Sequence, residues 1–153
     1  MLINPASNTH ATFEKVAARG IHRNVIAILS KRTDLQGRDV LDFACGDGRT
    51  THLLRQLGAT VTPCDLFPEY YKLEDKPLPI DIRDASALPA ASVDFIVLQE
   101  VIEHLPDQLV ALREMARILR PGGEVFLTTP NRSSLAAKLS FMRCCCGHPK
   151  APV

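Results

Sequence analysis

A short loop with two glycines, Cys45-Gly46-Asp47-Gly48, directly follows the apolar run Val40–Ala44. Glycines at this spacing let the backbone turn tightly and approach a ligand without a Cβ in the way. Another carboxylate, Asp65, ends the next apolar run along the chain. A carboxylate at that place can accept hydrogen bonds from both hydroxyls of a ribose. The pattern therefore predicts a site for a ligand that contains adenosine.

Two adenosine cofactors fit such a loop, and the charges around it distinguish them. The dinucleotide fingerprint requires a third glycine, where this chain has Thr51. A dinucleotide also places its pyrophosphate against the loop, and Asp42 and Asp47 would repel it. S-adenosylmethionine (SAM) has no phosphate, and a nearby carboxylate favours its ammonium group. The charges therefore favour SAM, with a nicotinamide-dependent oxidoreductase as the weaker alternative.

Glu103 and His104 follow the strong apolar run Val93–Gln99, where a second substrate could reach the cofactor. A methyl group on a sulfonium is already electrophilic, so the protein mainly has to align the acceptor. A base is needed only where the acceptor must lose a proton, and an imidazole ordinarily titrates near neutral pH. We interpret His104 first, and Glu103 second, as candidate catalytic residues. The alternative is a pair that caps or solvates the start of a helix.

The elements that must position these residues alternate along the chain. Apolar patterns predict strands at 40–44, 60–65, 78–82, 93–99 and 124–129, and helices at 13–30, 49–57 and 107–119. This alternation predicts a Rossmann-like α/β fold, a doubly wound and mostly parallel sheet of about five strands with helices on both faces. Ligands bind beyond the carboxyl ends of such strands, where the residues above fall. Pro63 predicts a bulge or an early end of the second strand, and Pro121-Gly122-Gly123 predicts a turn.

Size and composition fit one domain that handles a small molecule. The 153 residues carry a net charge of +1, from 18 basic and 17 acidic side chains. The absence of a basic cluster argues against a nucleic-acid or membrane surface, and no apolar run reaches the ~20 residues of a membrane span. No secretory signal is recognisable, so we expect a cytoplasmic protein. We divide the chain into a helical segment (1–37), a cofactor-binding core (38–131) and a C-terminal helix and tail (132–153).

The five cysteines do not form a spaced framework. Cys144, Cys145 and Cys146 are consecutive, and adjacent cysteines are poor disulfide partners. Three consecutive side chains also cannot readily converge with His148 on one ion, so we predict no metal site. Reduced thiols are the expectation.

The order of the motifs resembles the class I SAM-dependent methyltransferases that act on small molecules. The likeness covers roughly residues 38–131 and rests on 40–48, Asp65, 84–89, 92–97, 100–105 and 117–123, which occur in the order that the family has. It implies SAM as the cofactor, S-adenosylhomocysteine as its product and a set of binding residues. Gly46 and Gly48 would approach the methionine part of SAM, and Asp42 would lie near its ammonium group. Ala44 and Asp47 are carried over with the same loop.

The resemblance also implies contacts with the adenosine half. Asp65 would hold the ribose, with Leu66 packed beside the adenine. Asp84 would accept a hydrogen bond from the adenine amino group, with Ala85 close by, unless Asp84 is only a turn residue. Gln99 would offer backbone contacts to the methionine tail.

The family normally has seven strands, and its last two form a reversed hairpin beside strand five. Here the residues after Thr129 predict a helix over 133–143 instead. Without the hairpin, strand five would be an exposed apolar edge. Either the chain is shortened, or that helix or another subunit covers the edge, and we favour a shortened chain. The segment 129–135 resembles one found in methyltransferases of sugars, quinones and other metabolites, so we expect a small-molecule acceptor. The alternative is a catalytically incomplete, methyltransferase-like binding module; the oligomeric state stays open.

Overall fold

The structure, a computed structural model, describes residues 22–130. The described part begins with a helix over residues 22–29, α1. The elements that follow are β1 (Asp39–Phe43), α2 (Arg49–Gln56), β2 (Thr60–Cys64), β3 (Val93–Gln99), α3 (Gln108–Ile118) and β4 (Leu119–Thr128). Two 3-10 turns lie at Pro68–Tyr70 and Ile102–His104. Helix α3 begins after Asp107, whose carboxylate accepts the N–H groups of Leu109 and Val110 as a helix cap.

The four strands form one parallel sheet in the order β2-β1-β3-β4. From the central β1 the chain winds outward to β2 on one side, and then returns to β3 and β4 on the other. The strand order therefore reverses between β1 and β3, and the carboxyl ends of these two strands flank a crevice. This is the predicted doubly wound sheet, and it places the glycine loop at the reversal.

Alternate side chains of the strands face two separate apolar clusters, because successive residues of a strand point to opposite faces. One cluster joins Leu41, Ile96, Leu98, Ala111, Met115 and Ile118, on the face that α3 covers. The other joins Val25, Leu29, Val40, Leu54, Phe95 and Val97, on the face that α1 and α2 cover. Helices on both faces are thus confirmed. Burial on both faces also explains why the strand sequences read as nearly continuous apolar runs.

Of the two outcomes expected at Pro63, the bulge does not occur, because β1 and β2 pair in regular register from Asp39↔Thr60 to Phe43↔Cys64. Strand β2 does end directly after Pro63, at Cys64, one residue before the predicted end. The carbonyl of Pro63 accepts the N–H of Leu78 at 2.9 Å, on the side of β2 that faces away from β1. The N and O atoms of one strand residue point to the same side, so the missing N–H of proline takes no bond from the β1 ladder.

Two further local predictions differ from the structure. The strand predicted at 78–82 is reduced to two isolated bridges, Leu78 with Cys64 and Asp81 with Asp84, which leaves four strands in the described part. The turn predicted at 121–123 lies inside β4, which starts at Leu119. Its register with β3 shifts there, so that residues 120–123 bulge opposite Asp94.

Strand β4 forms one edge of the described sheet, and Val125 and Leu127 on it are 39% and 36% exposed. No helix among residues 22–130 is long and apolar enough to cross a membrane. No group of three or more potential metal ligands occurs in the same range. The predictions for the first 21 residues, for the helix at 133–143 and for Cys144–Cys146 lie outside the described residues.

Candidate functional site

The glycine loop needs its two glycines for different reasons. Gly46 has φ +54°, and a Cβ built on it would meet no atom within 4 Å, so open space lies beside its backbone. Gly48 has φ +85° and immediately precedes α2, and a Cβ there would lie 2.8 Å from Cε2 of Tyr71. Both backbone conformations favour glycine. Only Gly46 leaves room for a ligand to approach its Cα.

Asp65 joins the loops that follow β1 and β2. Its side chain is buried, Oδ2 accepts the Gly46 N–H at 2.8 Å and Oδ1 accepts the Phe67 N–H at 2.8 Å. A carboxylate oxygen can accept more than one hydrogen bond, so each oxygen keeps capacity for a further donor. The predicted ribose-binding acid is therefore fixed against the glycine loop, and it can still accept a pair of hydroxyl groups.

Asp42 lies beneath this loop, and its side chain is 1% exposed. The hydroxyl of Thr51 donates to its Oδ2 at 2.5 Å. Burial raises the pKa of Asp42 to about 7; the hydrogen bond from Thr51 opposes this rise, and the charge of Asp65 adds to it. A cation beside Asp42 would favour its ionised form. The sequence analysis considered Thr51 only as the place where a third glycine is missing. Its position in the first turn of the helix that begins at the loop was the signal that could have indicated a contact with Asp42.

The ends of β1 and β3 are connected through α2. The side-chain amide of Gln99 donates to the hydroxyl of Thr50 at 2.7 Å, across the point where the strand order reverses. Ala44 and Glu100, which follow β1 and β3, have φ values of +57° and +53°. Non-glycine residues rarely adopt this conformation and do so where the surroundings hold them, often at ligand sites.

Asp47 faces cations of its own chain. Its carboxylate lies 3.0 Å from the guanidinium of Arg49 and 3.9 Å from the ammonium of Lys72. Its carbonyl accepts the N–H of Lys72 at 3.3 Å. The negative charge of this loop residue is therefore partly compensated, unlike that of Asp42.

A shallow cavity of about 320 Å³ lies at the opposite, amino-terminal end of the sheet, beside Arg38, Asp94 and Gly122. Its charged groups are already paired, since Arg38 lies 3.2 Å from Asp34 and Asp94 lies 2.8 Å from Arg120. None of the predicted site residues lines it. The carboxyl end of the sheet is therefore the better candidate for a binding site.

A family described as a methyltransferase domain matches residues 10–150, which is most of the chain. The chain belongs to this methyltransferase family. The resemblance to class I SAM-dependent methyltransferases, drawn above from the order of the motifs, is thereby confirmed at the level of the family.

Curated relatives of this methyltransferase chain include ubiquinone biosynthesis O-methyltransferases. The one from Xanthomonas oryzae pv. oryzae is 38% identical over 124 residues, which cover 74% of this chain and 52% of the relative. The one from Xanthomonas axonopodis pv. citri is 36% identical over the same shares. The chain thus spans about half the length of the curated relatives that it matches.

Solved structures confirm the fold. A SAM-dependent methyltransferase from Archaeoglobus fulgidus superposes with a TM-score of 0.68 at 23% identity, over 94% of this chain and 67% of that one. A SAM-dependent methyltransferase from Aquifex aeolicus gives 0.61 at 20% identity, over 71% and 65%. The Rossmann-like architecture is therefore shared with these enzymes.

The residues predicted to border the adenine are less closely assembled in this methyltransferase. Leu66 follows Asp65 and is 50% exposed, so its side chain is free to pack against a planar ligand. Asp84 is exposed and lies in a turn, in which its N–H donates to the carbonyl of Asp81 at 3.0 Å. Ala85 is fully buried in the cluster under α3, and its carbonyl already accepts a hydrogen bond from Arg117, so the residue is not open to a ligand.

Glu103 and His104 lie in the 3-10 turn after β3, at the same end of the sheet. Glu103 is the better anchored of the two, since its side chain is 17% exposed and Thr129 donates to its Oε2 at 3.3 Å. The His104 side chain is 78% exposed, with Nε2 3.9 Å from Oε1 of Glu103. The structure thus gives His104 access to an incoming molecule and gives Glu103 a fixed position beside it.

Proposed function

We propose that the protein transfers a methyl group from SAM to a small-molecule acceptor by direct in-line displacement. The observation that carries the proposal is the bond from Gly46 N–H to the carboxylate of Asp65. It brings the glycine loop together with the acid for which we propose ribose binding, at the carboxyl edge of a parallel sheet. Membership of the methyltransferase family supports methyl transfer over hydride transfer, and the SAM-dependent structural neighbours support SAM as the donor.

The chemistry of the site fits this cofactor. Open space beside Gly46 leaves a path for the methionine part along the loop backbone. Asp42 offers a carboxyl group that a cationic ammonium would stabilise in its ionised form, and Asp65 offers acceptors to two ribose hydroxyls. The ionised form of Asp42 would instead repel the pyrophosphate of a dinucleotide. When bound, SAM supplies an electrophilic methyl group on a positively charged sulfur.

The contribution of the protein is then alignment, exclusion of water and, for some acceptors, proton removal. The bond between Gln99 and Thr50 fixes the end of β3 against the start of α2, which borders the methionine part of the site. For a hydroxyl acceptor we propose that His104 takes the proton, while Glu103 stabilises the imidazolium that forms. The O-methyltransferases among the relatives support an acceptor that carries such a hydroxyl.

Calorimetric titration with S-adenosylhomocysteine tests the cofactor assignment, with NADH as the competing ligand. We expect S-adenosylhomocysteine, the product, to bind and NADH to show no comparable heat. Asp65→Ala should weaken binding by about tenfold to a hundredfold, because hydrogen bonds to a charged group contribute about 1.5–3 kcal/mol. Glu74→Gln, a change of an exposed carboxylate outside the site, should bind as the parent does. Preference for NADH, or full affinity in a folded Asp65→Ala protein, would overturn the proposal.

Turnover is tested with labelled SAM and a panel of small phenols, catechols and hydroxylated quinone precursors. With a hydroxyl acceptor, His104→Gln should lower kcat by roughly 10²–10⁴ and leave the affinity for S-adenosylhomocysteine unchanged. His52→Gln provides the matched control, since His52 is exposed on α2. Tight binding without transfer to any acceptor would favour the alternative of a binding module.

A further inference from the structure

The segment that carries Asp84 is shaped by two consecutive turns. The N–H of Asp84 donates to the carbonyl of Asp81 at 3.0 Å, and the N–H of Leu88 donates to that of Ala85 at 2.9 Å. Ile82 and Ala85 anchor the segment from beneath, at 5% and 0% exposure in the cluster under α3. The exposed outer part of the segment is therefore the part available to a ligand.

Arg117 of α3 binds this segment through its backbone. Its Nη2 donates to the carbonyl of Ala85 at 2.8 Å, and its Nη1 donates to the carbonyl of Leu88 at 2.9 Å. The two bonds hold the beginning and the end of the second turn at once. A guanidinium presents its donors in a rigid planar fork, so this geometry fixes the position of the turn relative to α3.

Glu114, one helical turn earlier, holds the fork in place. Its carboxylate accepts from Nη2 of Arg117 at 2.8 Å and from Nε at 3.2 Å. Arg117, and secondarily the backbone N–H of Ala85, keep the pKa of Glu114 below its ordinary value. Glu114 therefore acts on the turn by holding Arg117, whose fork binds the carbonyl of Ala85, the residue after Asp84.

Helix α3 does not need this pair to pack on the sheet. Ala111, Met115 and Ile118 are at most 1% exposed against it, whereas the side chains of Glu114 and Arg117 are 22% and 32% exposed. A partly exposed ion pair contributes little to stability by itself. Its distinctive effect is on the position of the turn that carries Asp84.

We propose that Glu114 and Arg117 are positioning residues that set the affinity and selectivity of the site for the adenine base. They do so by holding the segment 84–88 where Asp84 can accept a hydrogen bond from the exocyclic amino group. This inference rests on the proposed function, since it requires the adenosine half of the cofactor to lie beside Asp84.

The test compares S-adenosylhomocysteine with S-inosylhomocysteine, in which an oxygen replaces that amino group. The unmodified chain should prefer the adenine compound by about tenfold, the effect of one hydrogen bond of about 1.4 kcal/mol. Arg117→Lys keeps the charge but removes the fork, and it should weaken the adenine compound about tenfold while changing the inosine compound little. Arg113→Lys, an exposed change on the same helix, should retain the parental preference.

A double variant separates positioning from general stability. If Arg117 acts through Asp84, Arg117→Lys should cost little further affinity in an Asp84→Ala background, which has no side-chain acceptor, so the two losses are not additive. Should Arg117→Lys fail to fold by circular dichroism, Glu114→Gln replaces it, with the same loss of preference expected.

Equal weakening of both compounds, or additive losses, would overturn the positioning role while leaving the cofactor site intact. Failure of the unmodified chain to bind S-adenosylhomocysteine would instead overturn the proposed function, and the positioning role with it.

Discussion

Asp42 is a carboxyl group whose ionisation the fold opposes. It is 1% exposed, the hydroxyl of Thr51 lies 2.5 Å from it, and burial raises its pKa from 3.8 to about 7. Between these two values the folded protein holds a proton that the unfolded chain has released. The stabilisation that the neutral carboxyl provides is therefore complete below about pH 4 and is lost as the pH rises through about 7.

The size of the effect follows from that rise. At ~1.36 kcal/mol for each pH unit, a change from 3.8 to about 7 amounts to about 4 kcal/mol, to be taken as an order of magnitude. Asp42→Asn keeps the shape and an acceptor oxygen for Thr51 but cannot ionise. We therefore expect this variant to exceed the parent in free energy of unfolding by a few kcal/mol at pH 8, with the difference shrinking toward pH 5.

Urea unfolding at several pH values between 5 and 8, followed by circular dichroism, measures this difference directly. All other ionisable groups are the same in both proteins, so their contribution cancels when the two curves are subtracted. Glu74→Gln, at an exposed carboxylate, should differ from the parent by a constant amount. If the difference between Asp42→Asn and the parent were also constant, the carboxyl would be ionised throughout and the reasoning about its burial would be wrong.

Three more predictions concern the same edge of the sheet. Binding of S-adenosylhomocysteine should strengthen from pH 6 to 8 in the parent but not in Asp42→Asn, because the ammonium group of the ligand favours the ionised carboxylate of Asp42. Calorimetry in buffers of different ionisation enthalpy should detect the proton that Asp42 releases, and the absence of proton release would contradict this prediction. Gly48→Ala should lower the free energy of unfolding in urea by about 1–3 kcal/mol, and by more than Gly37→Ala does. Both glycines have positive φ, but of the two only Gly48 would place a Cβ 2.8 Å from Cε2 of Tyr71. Equal losses in the two variants would refute this clash. The Cys64 thiol is fully buried, and burial raises its pKa to about 12, so it should resist alkylation at pH 8 until urea is added. Peptide mass spectrometry measures the labelling, and fast labelling of Cys64 in the folded chain would contradict the prediction.

The strands could be predicted from sequence because burial on both faces of the sheet requires nearly continuous runs of apolar residues. The run at 93–99 matches β3 in both bounds, and β1 is displaced by a single residue. The errors fall where a neighbouring strand decides the outcome. Pro63 is tolerated because its missing N–H faces away from β1, and the glycines before Glu124 form a bulge because β3 continues beside them. Neither neighbour is visible in the local sequence.

The site was predictable to the same extent and for the same reason. Gly46 and Asp65 stand at the ends of successive strands, and a parallel sheet brings such ends to one edge, where they are bonded at 2.8 Å. The bond from Thr51 to Asp42 and the two bonds from Arg117 depend on the position and rotation with which α2 and α3 pack on the sheet. Helical spacing shows that a residue can face the sheet but not which polar group it will meet there.

The carboxyl edge of the sheet departs from ordinary backbone and charge preferences at the points where the cofactor is proposed to bind. Ala44 and Glu100 adopt left-handed conformations that each cost about 1 kcal/mol or more in a non-glycine residue. Asp42 is buried there against its tendency to ionise. Such features persist only where the surrounding structure holds them, as the bond from Glu100 N–H to the carbonyl of Thr128 does at 3.0 Å. Because hydrogen bonds within the chain hold these conformations, the fold itself fixes the loop after β1 and the turn after β3. In the proposed reaction, binding then has little backbone ordering to offset, which leaves more of the interaction energy for aligning the methyl group with its acceptor.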